Sequence, residues 1–419
     1  MTDLLNPLAS RAKRTVEITS AFPGSAMPSA VFQHPKSMVL RQKAKSHDVL
    51  VLRYEEELKD PTRLLRTGSP VSVTWGTTNV NEDYTWVGYV HTTRPRRVGT
   101  TYGQTEIVCV SPSMVLKQAG QQTWVNRPVT SSAADIIVSA GLDAMVDAHP
   151  LQDTLLQHGR TYWQVLREIA GLTGYSLTTD NTAVIMRPHK SFYDLYAARA
   201  RVFSPGEAMD MSAKDTGRTL YSFTPDWSDM SEDDYALHAT LTSWAVDPRT
   251  GNIQQTSVSY PSDQIAAQRE RPVVERFATR ASHNISEATQ LAGDTLADKR
   301  WVNQATLVGL GSPDLTPYRP VYVAGLSEGA NGWWQILEVE HEITSRSEYT
   351  ATMRVGRDGS TITYPMPTSR PVVPDAEVAQ RAANQIWGQR QPAFVTTIPS
   401  STGLTGFGDV GGYWVSRRT

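Results

Sequence analysis

A single cysteine, Cys109, is the chain's whole supply of thiol, which rules out an intrachain disulfide and any thiolate metal cluster. It lies within a strand pattern, where a lone thiol packs as a small apolar group rather than reacting. Long apolar runs are missing too. None approaches the length that spans a bilayer, and Met1-Thr2-Asp3-Leu4-Leu5-Asn6-Pro7 lacks the basic and apolar blocks of a signal peptide. The chain is therefore expected to be made in the cytoplasm and to carry no membrane anchor. Charge of one sign is also scarce: 40 Lys and Arg stand against 42 Asp and Glu, a net of −2. A protein that holds nucleic acid by neutralising many phosphates would need a basic excess. Neither a GxSxG elbow nor a Walker loop occurs.

The patterns that could carry chemistry each have a plainer reading. Gly406-Phe407-Gly408-Asp409-Val410-Gly411 fits GxGxxG, but too few residues follow it to build the helix that would face a pyrophosphate. His341-Glu342 begins like a zinc-protease motif and lacks the second His four residues after the first. The 9 His residues form no close ligand pair, so no metal or cofactor is expected. Glu55-Glu56-Glu57 and Glu232-Asp233-Asp234 could supply the two carboxylates of a glycosidase, yet they read as solvated charge runs. Among 11 Trp residues, Trp75, Trp86, Trp333 and Trp334 could make a sugar-stacking platform; in alternating strands they more naturally fill a core or a subunit interface.

What is present is a repetition. Gly68 to Gly76, Tyr84 to His91 and Gln104 to Val110 read as three strands, and so do Tyr318 to Gly325, Gly332 to His341 and Tyr349 to Val355. The same interval separates Pro70 from His91 and Pro320 from His341, which assigns the two histidines one shared structural place. Two copies of a β-domain in one polypeptide let a ring of odd symmetry imitate one of twice the order. The fold class expected is mainly β with an α/β insert: two tandem tube-like antiparallel β-barrels, the insert domain between them, and an extended C-terminal tail. The boundaries are 1–118 for the first barrel, 119–190 for the insert, 191–365 for the second barrel and 366–419 for the Pro/Gly-rich extension.

Within the insert, Thr130, Ser131 and Ser132 can cap a helix ended by Gly141. Thr161 caps a clearer one whose face is Trp163, Leu166, Ile169 and Ala170, ended by Gly171 and Gly174. A hairpin about Asp180-Asn181 follows. Short helices are also expected after Asp60-Pro61, from Ile285 to Trp301, and from Asp375 to Trp387. Beyond residue 366 the chain cannot bury a core of its own; aromatic residues in such a segment suit docking, which marks Trp387, Phe394, Phe407, Tyr413 and Trp414 as partner-docking side chains.

In this order the pieces carry a family resemblance: Asp60-Pro61 with Gly68-Ser69-Pro70-Val71-Ser72-Val73, then Tyr162 to Ala170 with Gly174-Tyr175, then Gly311 to Pro317, then Trp334 to His341 with Tyr349-Thr350. The chain resembles the baseplate or tail-tip hub proteins of tailed bacteriophages, the family of the late-control gene D proteins and of the hub half of type VI secretion spikes. The resemblance, over about residues 45 to 358, implies a homotrimer whose two barrels per chain make a pseudo-hexameric ring in a virion tail. A tail-tube or distal tail protein would lie above it, a spike, fibre or other tip protein below, and the tape-measure protein is a further contact. DNA would pass through the lumen without specific binding. No enzyme is implied, since the tail after residue 366 is too short for a peptidase or muramidase domain. A cell-wall hydrolase and a carbohydrate-binding tail-tip protein are the competing classes.

Overall fold

In the computed structural model the described residues are 12–18, 35–54, 67–77, 80–98, 102–157, 159–205, 219–226, 239–246, 250–259, 274–277, 285, 288, 289, 292, 301–326, 330–344 and 349–358. The first part of the chain forms β1 (Ala12–Ile18), β2 (Ser37–Lys43), β3 (Val49–Tyr54), β4 (Pro70–Thr77), β5 (Val80–Val98) and β6 (Tyr102–Val110). The last part forms β12 (Arg201–Phe203), β13 (Leu220–Asp226), β17 (Trp301–Leu310), β18 (Pro320–Val323), β19 (Gly332–Thr344) and β20 (Tyr349–Asp358). Between β13 and β17 lie β14 (Ala239–Val246), β15 (Ile253–Ser259) and β16 (Val274–Phe277), a separate sheet ordered β15-β14-β16.

The first and last parts share one sheet of 12 strands, β1-β4-β5-β6-β3-β2-β19-β20-β17-β13, with β18 on β19 and β12 on β18. Two tandem tube-like barrels were expected; among the described residues no closed barrel is found and the strand path is open. The reason is that β2 uses its outer edge on β19 rather than within its own half. Each half still has its own core. Leu50, Leu52, Val73, Trp75, Trp86 and Cys109 belong to one buried cluster, and Leu307, Val321, Trp334, Ile336, Met353 and Val355 to another. Burying so many large apolar side chains, at about 1.5–3 kcal/mol each, supplies most of what orders the chain.

The ladders make the duplication visible and correct its alignment. Val90 faces Cys109 across β5·β6, and Ile336 faces Val355 across β19·β20. One residue later each long strand bulges, at His91 in one and Leu337 in the other. Pro70 faces Tyr89 and Pro320 faces Gln335. His91 therefore matches Leu337, not His341, and the equal spacing in the sequence was coincidental. The second hairpin is shorter, and its large ring has changed places: Val73 and Val71 face Trp86 and Gly88 in the first half, but Val323 and Val321 face Gly332 and Trp334 in the second. One indole per pair of same-face positions keeps the volume while scrambling the letters.

Gly88 shows how tight this is. A Cβ there would lie 2.5 Å from the Val110 carbonyl oxygen and against the Trp86 ring, and a backbone atom in a ladder cannot step aside. Gly88→Ala is expected to cost about 1–3 kcal/mol, read as a lower urea midpoint at unchanged slope; an unchanged midpoint would contradict the packing.

Residues 119–190 hold β7 (Thr123–Pro128), α1 (Val129–Ser139), β8 (Asp143–Val146), β9 (Gln152–Leu156), α2 (Tyr162–Thr173), β10 (Tyr175–Asp180), β11 (Ala183–Pro188) and the start of α3 (His189–Tyr196). β10, β11 and β8 form one small sheet and β7 pairs with β9. Thr161 completes a capping box with Gln164, and Gly174 ends α2 at φ 63°, as the sequence implied; Gly171 lies within the helix. α1 begins at Val129 after Pro128, so Thr130, Ser131 and Ser132 fall inside it and do not cap it. Trp301 opens β17 rather than ending a helix. The helices expected after Asp60 and from Asp375 lie outside the described residues.

Candidate assembly interface

The junction of the two halves is where β2 meets the end of β19, from Glu338 opposite Lys43 to Thr344 opposite Ser37. On one face Met38, Leu40 and Ile343 are fully buried. On the other, Arg41 Nε lies 2.5 Å from Glu340 Oε2 and Lys43 Nζ 3.1 Å from Glu338 Oε2. Such exposed pairs add at most about 1 kcal/mol each, but they specify register. The bulge at Leu337 has a use of its own, since its carbonyl accepts the Ala44 N–H at 2.9 Å.

A directional chain of hydrogen bonds crosses behind this junction. Trp75 Nε1–H donates to Tyr349 Oη at 3.0 Å, and Tyr349 O–H donates to His341 Nδ1 at 2.9 Å. His341 Nε2–H donates to the Leu315 carbonyl at 2.8 Å. A carbonyl can only accept, so Nε2 carries a proton. Burial holds the His341 pKa down at about 4 and keeps the imidazole neutral, which leaves Nδ1 to accept from Tyr349. The same burial pushes the Tyr349 phenol above its ordinary value. His91, by contrast, is exposed, and burial in part, with Lys117 and Arg94, lowers its pKa.

The matching elements elsewhere in the sheet are open. Among the described residues β13 pairs only with β17, and the end of β5, Thr92 to Val98, pairs only with β6. Ser222, Thr224 and Asp226 are exposed, as is Arg94. Arg94 Nη1 is 3.5 Å from Glu106 Oε1, but Glu106 also serves Arg53 at 3.3 Å. One carboxylate thus answers two guanidiniums.

The insert seats on the first half through its hairpin. Tyr84 O–H donates to Asp180 Oδ1 at 2.6 Å, Val87 N–H to Asn181 Oδ1 at 2.9 Å, and Asn181 Nδ2 to the Thr85 carbonyl at 3.1 Å. Asn181, at φ 54°, is wholly buried; an asparagine tolerates that conformation and satisfies the β5 backbone at once. Nearby, Asp48 accepts from Gln42 Nε2 at 3.0 Å and Thr179 Oγ1 at 3.2 Å. Desolvation outweighs these bonds and raises its pKa to about 7.

Two serine–histidine pairs have hydrogen-bond geometry, His47 with Ser113 at 2.9 Å and His189 with Ser176 at 2.7 Å. Both hydroxyls are completely buried, so they brace the core and face no substrate. Burial and Lys117 lower the His47 pKa to about 3, and burial raises the Cys109 thiol. Trp75, Trp86, Trp333 and Trp334 are all buried, which removes the sugar platform. Among the described residues no cluster of three metal-binding side chains occurs, and no helix is long and apolar enough to cross a membrane. Glu55-Glu56-Glu57, Glu232-Asp233-Asp234 and the docking aromatics Trp387, Phe394, Phe407, Tyr413 and Trp414 lie outside the described residues. Arg94 and Asp226 were not singled out in the sequence; the basic run Arg94-Pro95-Arg96-Arg97 at a strand end was the available signal.

Neither a protein-family model nor a curated protein matches the chain. Solved structures do. A tail protein from Neisseria meningitidis MC58 aligns at a TM-score of 0.57 and 12% identity, over 83% of this chain and 97% of that one. The 43 kDa tail protein of prophage MuSo2 from Shewanella oneidensis aligns at 0.57 and 12%, over 83% and 98%. The likeness is one of fold, and it spans most of this chain and nearly the whole of the two tail proteins.

Proposed function

We propose that this chain, which has the fold of phage tail proteins, is a non-enzymatic structural component of a virion tail. It acts as a trimeric hub that closes the tail tube and adapts the tube's six-fold symmetry to a three-fold spike or fibre. The observation that carries this reading is the duplicated ladder: two copies of one strand arrangement per chain, so that three chains offer six similar positions in one annulus. Among the described residues neither half closes a barrel by itself, and the barrel is closed between chains. A tube or distal tail protein stacks on the six similar edges. The unlike parts, including the aromatics after residue 366, reach the tip protein on the other side, and DNA slides through a lumen that does not hold it.

Light scattering on the full chain tests this. The expected mass, across a hundredfold range of concentration, tends to three times the 46.3 kDa of one chain. A mass that stays at one chain, or settles at two or four, would remove the three-fold hub.

A further inference from the structure

The contact inside the chain is a template for a contact between chains. β5 matches β19 through their ladders to β6 and β20. β2 matches β13 by the same rule: Leu40 faces Leu50, whose partner is Cys109, and Pro225 faces Ala305, whose partner is Val355. Within one chain the outer edge of β2 takes the end of β19. The outer edge of β13 and the outer edge of the end of β5 are the corresponding pair, and among the described residues neither edge meets a strand.

We propose that β13 of one chain pairs antiparallel with the end of β5 of a second copy, in the register that β2 and β19 use. Arg94 then stands opposite Asp226, and Arg96 opposite Thr224. The proposal rests on the self-assembly reading above and names the seam. Its charge pattern supports it. Arg94 occupies the place of Glu340 and Asp226 the place of Arg41, so the ion pair recurs with its signs exchanged. Each partner is matched to the other half and mismatched to its own kind, since Arg94 would meet Arg41, and Asp226 would meet Glu340, in the wrong pairing. That favours head-to-tail closure over misregistered pairing. Pro95 and Pro225 face each other in this register. Neither donates an N–H, so the seam holds fewer ladder bonds than the β2·β19 junction, and an isolated edge is a poor template for indiscriminate strand addition.

The test is a paired substitution in the full chain. Opposed residues in an antiparallel ladder have Cα atoms about 4.5–5.5 Å apart, within disulfide reach. Arg94→Cys with Asp226→Cys is expected to link chains under mild oxidation into a series that ends at the trimer, because each chain carries one cysteine of each kind and a closed ring has no free end. Cys109 is buried and does not compete. Arg94→Cys with Thr224→Cys, out of register, is expected to link poorly. Separately, Asp226→Arg should raise the concentration of half-assembly about tenfold by setting two cations opposite each other, and adding Arg94→Asp should restore it. Trimers by light scattering that do not link at 94 and 226, link equally at 94 and 224, or show no rescue would overturn the seam and leave the hub standing. A chain that never self-assembles would overturn both.

Discussion

Trp75→Ala is expected to lower the unfolding free energy by about 3–5 kcal/mol, the range for deleting a large buried aromatic side chain. The residue is 1% exposed, packs edge-on against Tyr84 at 4.7 Å between ring centres, and starts the hydrogen-bond chain that ends at Leu315. Its loss leaves a cavity and takes the donor from Tyr349. Trp75→Phe separates the two effects, keeping a ring while removing the N–H. Tyr349→Phe removes the hydroxyl from the other side and leaves two buried groups, the Trp75 N–H and His341 Nδ1, without their partner, at about 1–3 kcal/mol. Because the two changes break one shared bond, the double variant should cost less than the sum of the singles. Equilibrium denaturation of the parent, Trp75→Ala, Trp75→Phe, Tyr349→Phe and the double variant Trp75→Phe/Tyr349→Phe measures this. Additive losses, or a Trp75→Ala cost under about 1 kcal/mol, would mean that the two halves are not coupled through this chain.

Asp48→Asn should stabilise the protein above neutral pH, on the order of 4 kcal/mol, from a pKa raised from 3.8 to about 7. Between about pH 4 and 7 the folded chain keeps a proton that the unfolded chain has already released. The stability that this group contributes is complete below pH 4, falls as pH rises through the window, and is flat beyond it. His47 and His341 act in the opposite sense. Their folded values of about 3 and about 4 lie below the ordinary 6.5, so the unfolded chain takes up protons that the fold refuses, and stability falls as pH drops below 6.5. At pH 5 these three groups together give an uptake of about one proton on unfolding. In Asp48→Asn, where Gln42 can turn its amide to accept from the new N–H, the uptake should rise to about two. The pH dependence of the denaturation midpoint reads both numbers. A variant less stable than the parent at pH 8 would show that Asp48 is ionised and well paired in the fold.

Local physics was legible in the residues. Thr161 with Gln164, and Gly174 after the last turn, define α2 because capping needs only atoms within a few residues of each other. The alternation Val71, Val73, Trp75 sets which side chains of β4 face the core, since the pleat has a period of two. That much the sequence by itself determined, along with the presence of two related β units. Alignment of those units was another matter. Trp and Gly exchange places between Trp86/Gly88 and Gly332/Trp334, so similarity of letters pointed to the wrong histidine, and only the ladder pairs located the shared bulge. The burial of Asn181 against β5 and of Asp48 against β10 depends on elements far away in the chain, and it is the loss of solvent, not the Thr179 bond, that raises the Asp48 pKa. The tertiary structure alone decided which edges of the sheet are taken and which, among the described residues, are left open. A strand's pattern specifies the face it buries, whereas the neighbour it pairs with depends on backbone groups that every residue shares.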